Sequence, residues 1–228
     1  MEYVFTPAVQ PWVAVHGEKA GFPVRRIFCV GRNYAAHARE MGKDPEREAP
    51  FFFTKPADAV VQNGAMITYP KLTEDFHYEI ELVVAIGKDG SDIEESDALN
   101  FVYGYAVGVD LTRRDLQLDA RDKGRPWDWG KAFDNSAPCT AIHQVGDCGH
   151  IDSGRIWLAV NGETKQQADV ADLIWSVPEI ISICSKAQML RAGDLIFTGT
   201  PAGVGPIVSG DRILGGVDGL TEINIQIG

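Results

Sequence analysis

Short apolar segments with strand periodicity constrain the fold of this chain more than any other feature of the sequence. Many of them end at Gly, Pro or Asp, and they predict strands at the following positions: 26–30, 51–54, 66–69, 78–87, 102–109, 139–145, 155–161, 195–198 and 222–227. Helical patterns are confined to 33–41, 113–121 and 177–188. Because regular helical crossovers are missing from this pattern, it favours an α+β architecture that is mostly β, with a folded-over sheet, above a doubly wound sheet.

Local signals mark the ends of two predicted helices and one loop. Asn33 is the candidate N-cap of the first helix and Gly42 its stop, while Pro178 lies in the first turn of the third helix. The charged, proline-broken stretch 43–48 predicts a mobile loop between the first helix and the apolar residues 51–54.

Length, charge and cysteine usage limit the class of protein. A chain of 228 residues without a linker-like composition break is expected to form one large core. The net charge of −11 excludes a basic stripe for nucleic acid or an anionic membrane, and the basic residues around 113–125 alternate with aspartates as on a solvated helix face. The N-terminus does not read as a signal peptide, and no stretch approaches a bilayer span. Four cysteines without zinc-site spacing indicate reduced thiols and a cytoplasmic protein.

The segment HYEIELVVAIG, residues 77–87, places two glutamates inside an apolar strand. Because side chains alternate along a strand, Glu79 and Glu81 are expected on one face, where buried like charges require a positive partner. Two carboxylates on one face suit a hard divalent cation such as Mg²⁺, Mn²⁺ or Ca²⁺, and Asp110, at the end of VYGYAVGVD, offers a third ligand. The alternative is a surface strand whose glutamates lie in water.

Three further groups could carry chemistry. His37 and Glu40 are three residues apart on the first helix, so Glu40 could orient the imidazole as a general base; a solvated surface pair is the alternative. Lys131 and Lys55 lie among aromatic residues, either beside an anion or as snorkelling surface lysines. The turn TGTPAGVGP, residues 198–206, could cradle a carboxylate with its backbone N–H groups, or be an ordinary turn at the end of a sheet.

Several of these stretches together resemble the fumarylacetoacetate hydrolase family. They occur in the family's order and read as follows: CVGRNYAAHARE, FFFTKP, HYEIELVVAIG, GYAVGVDLTRRDLQ, PWDWGKAFD and DLIFTGTPAGVGP. The resemblance implies a mixed β-sandwich or roll and a homodimer. It also implies an N-terminal extension, 1–24, packed on the core of a catalytic domain, 25–228. The chain is similar to the short bacterial branch, because only about 25 residues precede the shared region.

The resemblance also implies a role for individual residues. Glu79, Glu81 and Asp110 match the ligands of Mg²⁺ or Mn²⁺, with Ca²⁺ a further candidate in crystals. His37 and Glu40 match a water-activating pair on a short lid helix, and closure over residues 37–50 is expected. Lys131 matches a lysine beside the metal. Substrate contacts are expected from Arg32, Tyr34, Arg114, Gln117, Lys131, Gly199 and Thr200.

The activity that this resemblance implies is hydrolytic cleavage of a carbon–carbon bond in an acylpyruvate, an α-keto acid. The N-terminal stretch 5–34 favours fumarylpyruvate, cleaved to fumarate and pyruvate in gentisate degradation. Candidate cations for the second carboxylate are Arg32, Arg39, Lys43, Arg47 and Arg113. The alternatives are an oxaloacetate decarboxylase, a 2-hydroxymuconate-type isomerase/decarboxylase and a non-catalytic, metal-stabilised ligand-binding protein.

Overall fold

The structure, a computed structural model, describes residues 2–40 and 48–228. Its strands are β1 (Trp12–Ala14), β2 (Gly21–Pro23), β3 (Arg26–Gly31), β4 (Phe51–Lys55), β5 (Val60–Gln62), β6 (Met66–Ile67), β7 (Phe76–Tyr78), β8 (Ile80–Ile86), β9 (Val102–Val109), β10 (Thr112–Arg113), β11 (Ala137–Cys139), β12 (His143–Gln144), β13 (Arg155–Val160), β14 (Glu163–Asp169), β15 (Asp194–Phe197), β16 (Gly205–Pro206), β17 (Arg212–Val217) and β18 (Ile223–Ile227). Its α-helices are α1 (Ala35–Glu40), α2 (Arg114–Asp122), α3 (Asp128–Lys131), α4 (Val145–Cys148) and α5 (Val177–Ala187), and short 3₁₀ turns occur at Ala57–Ala59, Glu95–Phe101 and Val170–Asp172.

Two large mixed sheets dominate the architecture, which confirms the predicted α+β, mostly β fold. The larger has eight strands in the order β4-β3-β15-β8-β9-β11-β5, with β12 paired to β9. The second has five strands in the order β14-β13-β17-β18-β6. Each combines antiparallel pairs with parallel ones, such as β15 with β3 and β18 with β6. Smaller sheets join β1 to β2 and β10-β7-β16.

Strand β8 is buried along its whole length because both faces of the larger sheet are covered. On one face, Leu82 and Val84 belong to a core that also contains Leu158 and Ile213 of the five-stranded sheet. On the other face, Val83 belongs to a second core, shared with residues of the β1–β2 hairpin such as Val13 and Phe22. This double coverage explains the uninterrupted apolar run that follows Glu81.

The predicted strand 78–87 is wrong in one respect that bears on the site. The chain leaves β7 at Tyr78 and re-enters a strand only at Ile80, so Glu79 lies between two strands of different sheets. The predicted strand 139–145 is interrupted, since β11 ends at Cys139 and β12 begins only at His143. There the Thr140 hydroxyl accepts a hydrogen bond from the backbone N–H of Val107 (3.0 Å), which replaces a ladder bond.

The predicted helices occur close to their expected positions, with one correction. Asn33 does not cap α1; its side chain instead bonds to the backbone of Trp175, at both N and O, and to the carbonyl of Thr198. Helix α5 begins with a capping box between Ser176 and Glu179, and Pro178 lies in its first turn as predicted. The predicted stop at Gly42 and most of the predicted loop 43–48 lie outside the described residues.

Strands β1, β2, β5, β10, β14, β16 and β17 were not predicted, and the two longest of them, β14 and β17, were missed for different reasons. Strand β14 is largely polar and exposed, so it lacks the apolar alternation that marks a half-buried strand. Strand β17 contains Gly215, where a Cβ would approach the Trp157 carbonyl oxygen to 2.8 Å, so close packing requires a residue that sequence patterns treat as a strand breaker. Within 2–40 and 48–228, no helix combines the length and apolar character needed to cross a membrane.

Candidate active site

Three carboxylates converge where β8 begins and β9 ends. Glu79 directly precedes β8, Glu81 is the second residue of β8, and Asp110 directly follows β9. The backbone N–H of Asp110 donates to the carbonyl of Glu79 (2.8 Å), which holds the two strand ends together. One oxygen of each carboxylate lies within 4.8 Å of the others, and all three residues are buried, Asp110 completely.

Three buried cations balance most of this negative charge. The Lys131 ammonium donates to Glu79 (2.8 Å), to Asp110 (2.6 Å) and to the Thr112 hydroxyl (2.7 Å). The Arg114 guanidinium pairs with the other oxygen of Glu79. The Lys55 ammonium, only 2% exposed as a residue, lies 2.8 Å from Asp110 and donates to the carbonyl of Leu111. Neither lysine is therefore a snorkelling surface side chain.

Glu81 differs from Glu79 and Asp110 in the partner of its carboxylate. It accepts a hydrogen bond from the backbone N–H of Gly199 (2.7 Å), and no cation of the described chain lies within 4 Å of it. Burial and the nearby charges of Asp110 and Glu79 raise its pKa well above the ordinary value. For Glu79, burial acts in the same direction, but Lys131 and Arg114 outweigh it and lower the pKa.

These residues fit a hard divalent cation. One oxygen of Asp110, Oδ1, accepts no hydrogen bond from any described residue, because the Lys55 ammonium beside it is not aligned for one. The donor set consists of carboxylate oxygens, which are the ligands that Mg²⁺ and Mn²⁺ prefer. A cation between the three acids would also relieve the like-charge repulsion that raises the pKa of Glu81.

The glycine turn after β15 fixes the orientation of Glu81. Gly199 has φ +102°, and a Cβ there would lie 2.7 Å from the Cβ of Asn33, so both conformation and space require glycine. The next residue, Thr200, accepts a hydrogen bond from the buried amide of Gln166 (2.8 Å), which also donates to the carbonyl of Pro201. The turn is thus held from two sides while its N–H faces a carboxylate.

His37 lies beside the carboxylates and is paired with Glu40 as the spacing predicted. The His37 Nδ1 atom is 3.1 Å from a Glu40 oxygen, and the Glu40 carboxylate in turn accepts from the backbone N–H of Gly203 (3.2 Å). His37 is buried, so the solvated surface pair does not describe it. Residues 41–47 of the expected lid lie outside the described part of the chain.

Two cavities meet at this site. The inner cavity, with a volume of about 30 Å³, is lined by Glu79, Glu81 and His37 together with Arg114, Gln117 and Thr200. The outer chamber, with a volume of about 530 Å³, lies against Phe51, Phe53 and Trp127. Lys131 and Arg32 line both, so the larger space opens directly in front of the carboxylates.

The predicted substrate contacts occupy different positions. Arg114 and Gln117 are buried, bonded to each other (3.0 Å) and facing the inner cavity, so the prediction of a solvated basic helix face is wrong for Arg114. Tyr34 is 2% exposed and lines neither cavity. Of the candidate cations for a second carboxylate, Arg32 lines the chamber, Arg39 is exposed, Arg113 stacks on Phe133, and Lys43 and Arg47 lie outside the described residues.

Two residues that support the site were not predicted in this role. Lys55 was left as either an anion partner or a surface side chain, and only the register of β4 against β3 places it under Asp110. Gln166 lies on the mostly exposed strand β14, yet it is buried and also accepts a bond from the backbone N–H of Ile80, between the two glutamates. One buried polar residue in an exposed strand gives no sequence signal of its own.

A family model described as the fumarylacetoacetate (FAA) hydrolase C-terminal domain matches residues 26–227. Among curated relatives, the fumarylpyruvate hydrolase of a Ralstonia species is 49% identical over 185 residues, covering 81% of this chain and 96% of the relative. The mitochondrial oxaloacetate tautomerase of Arabidopsis thaliana is 40% identical over 202 residues, or 89% of this chain and 90% of the relative.

Among solved structures, the fumarylpyruvate hydrolase of Pseudomonas aeruginosa, in complex with Mn²⁺ and pyruvate, has a TM-score of 0.97. Its sequence is 53% identical, and the match covers 99% of each chain. A putative fumarylpyruvate hydrolase of Burkholderia cenocepacia has a TM-score of 0.94 at 57% identity, over 100% of this chain and 99% of the other.

Proposed function

The chain belongs to the fumarylacetoacetate hydrolase family, and on that basis we propose that it is a metal-dependent hydrolase of fumarylpyruvate, releasing fumarate and pyruvate in gentisate degradation. The observation that carries the proposal is the inner cavity, which Glu79, Glu81 and His37 line together. Asp110 lies within 4.8 Å of both glutamates, and Glu40 is bonded to His37. The relatives named fumarylpyruvate hydrolase support the choice of substrate.

Glu79, Glu81 and Asp110 hold a divalent ion, Mn²⁺ or Mg²⁺. When bound, this ion acts as a Lewis acid toward the carboxylate and keto oxygens at the pyruvate end of the substrate. The Mn²⁺ in the Pseudomonas aeruginosa relative supports this assignment. Gly199 keeps Glu81 turned toward the site, and Lys55 neutralises part of the charge of Asp110 from the opposite side.

His37 removes a proton from water. The hydrogen bond to Glu40 places Nδ1 as the donor, which leaves Nε2 free to accept the proton, and the Glu40 carboxylate stabilises the imidazolium that forms. The hydroxide adds to the distal carbonyl carbon of the substrate, and the bond from that carbon to the methylene group breaks. Fumarate leaves with the new oxygen, and the electron pair of the broken bond forms the enolate of pyruvate, which takes up a proton.

Lys131 and Arg114 supply positive charge where negative charge develops. Burial lowers the pKa of Lys131, but the charges of Asp110 and Glu79 outweigh this and raise it, so the ammonium is retained at neutral pH. Its position at the junction of the two cavities is suited to stabilising the enolate oxygen. Arg114 and Gln117 bind the pyruvate carboxylate in the inner cavity, which Thr200 also lines, while Gly199 acts through its hydrogen bond to Glu81.

The His37→Ala variant tests this proposal. Loss of the general base is expected to lower kcat for fumarylpyruvate by about 10²- to 10⁴-fold, followed as the decrease in ultraviolet absorbance of the acylpyruvate enol with Mn²⁺ present. Oxaloacetate decarboxylation needs no water activation, so an enzyme of that alternative kind would keep its activity in the variant. Full hydrolysis by His37→Ala would refute the role of His37, and no turnover of any acylpyruvate by the wild type would favour a ligand-binding protein.

We further propose that the enzyme works as a cytoplasmic homodimer, with residues 1–24 forming an extension packed on the catalytic domain. Within the described residues all four cysteines are free thiols, as in a reducing compartment. Val13 and Phe22 of the β1–β2 hairpin are buried in the second core, whereas Val4 and Phe5 are exposed apolar residues that a second copy could cover. Light scattering after size-exclusion chromatography will give the mass: a dimer is expected, and a monomer would contradict it.

A further inference from the structure

The outer chamber is lined by two arginines that form no ion pair with the carboxylates of the inner site. Arg32 and Arg125 both line it, and neither has a carboxylate within 4 Å anywhere in residues 2–40 and 48–228. Asp128 is the single acid among the described residues that line it. In a chain with a net charge of −11, two arginines without an acidic partner beside a cavity indicate that their partner is a ligand.

The backbone fixes both arginines in place. Arg32 has φ +56°, a strained conformation for a residue with a side chain, and the hydrogen bonds of the neighbouring Asn33 side chain hold it there. Arg125 lies between Gly124, which has φ +61°, and Pro126, and its N–H donates to the carbonyl of Ala120 (2.8 Å). The two guanidinium groups thus start from defined positions on different elements.

Aromatic rings form the wall between these arginines. The Phe51 and Trp127 rings meet edge to face at 5.2 Å between centroids, and the Arg32 guanidinium lies over Phe51 at 5.2 Å. Phe51 packs directly on Gly31, where a Cβ would come within 2.0 Å of the ring. Such a wall suits a flat, conjugated ligand.

We infer that the outer chamber is the subsite for the second carboxylate of a dicarboxylic substrate, with Arg125 and Arg32 as its anion-binding residues and the aromatic wall against a planar trans-unsaturated arm. This inference rests on the proposed function, in which the keto-acid end of the substrate binds in the inner cavity. Lys131 lines both cavities, so the other end of the substrate then extends past it into the outer chamber. Arg125 was absent from the cations that the sequence suggested.

The experiment compares ligands that differ only in the second carboxylate. The substrates are fumarylpyruvate and trans-crotonylpyruvate, in which a methyl group replaces that carboxylate, and the binding probes are fumarate and crotonate, titrated calorimetrically into the Mn²⁺-loaded protein. The proteins are the wild type, Arg125→Gln, Arg32→Gln and a matched control, Arg155→Gln, whose side chain lies on strand β13 and lines neither cavity.

The wild type should prefer fumarylpyruvate to crotonylpyruvate by about 10- to 100-fold in kcat/KM, and Arg125→Gln should reduce this ratio by about tenfold or more. Fumarate should bind more tightly than crotonate by a similar factor, and Arg155→Gln should retain both ratios. Equal ratios in the wild type and in the Arg125→Gln and Arg32→Gln variants would overturn the inference. The binding ratio decides the matter even if no acylpyruvate is turned over, a result that would refute the proposed function alone.

Discussion

The inner cavity and the outer chamber share Lys131 but balance their charges in opposite ways. Around the inner cavity Lys131, Lys55 and Arg114 pair with Glu79 and Asp110, and Glu81 accepts a hydrogen bond from the Gly199 N–H. The outer chamber is lined by Arg32, whose guanidinium lies over the Phe51 ring, and by Arg125, and neither forms an ion pair with a described residue.

This difference separates two tasks that a carbon–carbon hydrolase must perform. A network whose members hold one another in place can keep three ligands and a base in fixed geometry, which favours the chemical step. Cations without internal partners lose no interaction when an anion arrives, which favours selection of the substrate. We therefore expect substitutions around the inner cavity to alter metal affinity and kcat. Substitutions in the outer chamber should alter the preference for one acylpyruvate over another.

The largest effect is expected from Glu81→Gln, which removes one of the three proposed metal-binding carboxylates while leaving a side chain of the same shape. Loss of a carboxylate should weaken Mn²⁺ binding and lower kcat for fumarylpyruvate by about 10³-fold or more, because several kcal/mol of charge stabilisation is lost. Metal titration and steady-state kinetics measure both. The fumarate-to-crotonate binding ratio should persist in this variant, and its loss together with the metal would contradict the separation of the two regions.

A smaller effect is expected from Gly199→Ala, which disturbs a ligand without touching its charge. The added methyl group meets Asn33 and the conformation at φ +102° is strained, so the N–H should turn away from Glu81. We expect a loss of about 3 kcal/mol in the free energy of unfolding and a 10- to 100-fold weaker Mn²⁺ affinity.

Gly210→Ala is the matched control for that variant. Gly210 has φ +96°, but nothing lies within 4 Å of an added Cβ, so this change introduces backbone strain alone. It should cost about 1 kcal/mol in unfolding by denaturant and leave Mn²⁺ affinity unchanged. Equal effects of the two substitutions on Mn²⁺ affinity would show that contact with the turn beside Glu81 is irrelevant.

The pH dependence of metal binding sharpens the comparison further. Because burial and the charges of Asp110 and Glu79 raise the pKa of Glu81, we expect a metal ion to compete with a proton for this carboxyl below the raised pKa. Below the raised pKa, each unit of decrease in pH should weaken Mn²⁺ binding about tenfold. Calorimetry in two buffers of different ionisation enthalpy measures the proton released, and Glu81→Gln should release none from this position.

The raised pKa of Glu81 also predicts how the stability of the metal-free protein depends on pH. A folded-state pKa above the ordinary value of Glu, about 4.3, means that the metal-free folded protein loses stability as pH rises from that value through the raised pKa. Added Mn²⁺ should therefore raise the melting temperature more at pH 8 than at pH 5.5. An equal rise at both values would show that the metal does not displace a proton from Glu81.

The smallest effect is expected from Tyr34→Phe. The Tyr34 hydroxyl is buried without a hydrogen-bond partner among the residues that the structure describes, and burial raises its pKa. Removing it should change the free energy of unfolding by less than about 1 kcal/mol and leave KM for fumarylpyruvate within twofold. A clear rise in KM would instead give Tyr34 the substrate contact that the family resemblance implied.

The fold could be predicted from strand periodicity because buried strands such as β8 and β9 carry continuous apolar runs. Strand β14 was not predicted because backbone hydrogen bonds to β13 stabilise it, and these bonds form with polar side chains as well as with apolar ones. The break at Glu79 escaped too, because the chain moves there from one sheet to another and nothing local signals the change.

The candidate site, like the fold, could be predicted only in part. Spacing along the chain suggested the His37–Glu40 pair, and strand ends suggested Asp110 beside the glutamates. The partners of these groups come from distant segments, as Lys55 does from β4 and Gln166 from β14, so only the register of the sheets brings them in. Arg125 belongs to the same class, because it lines a chamber whose aromatic wall combines Phe51 of β4 with Trp127.

Anomalous scattering from a crystal grown with Mn²⁺ tests the central claim most directly. We predict one manganese peak in the inner cavity, about 2.1 Å from a carboxylate oxygen of each of Glu79, Glu81 and Asp110. A peak bound to other residues, or no peak with these carboxylates turned away from one another, would contradict the account.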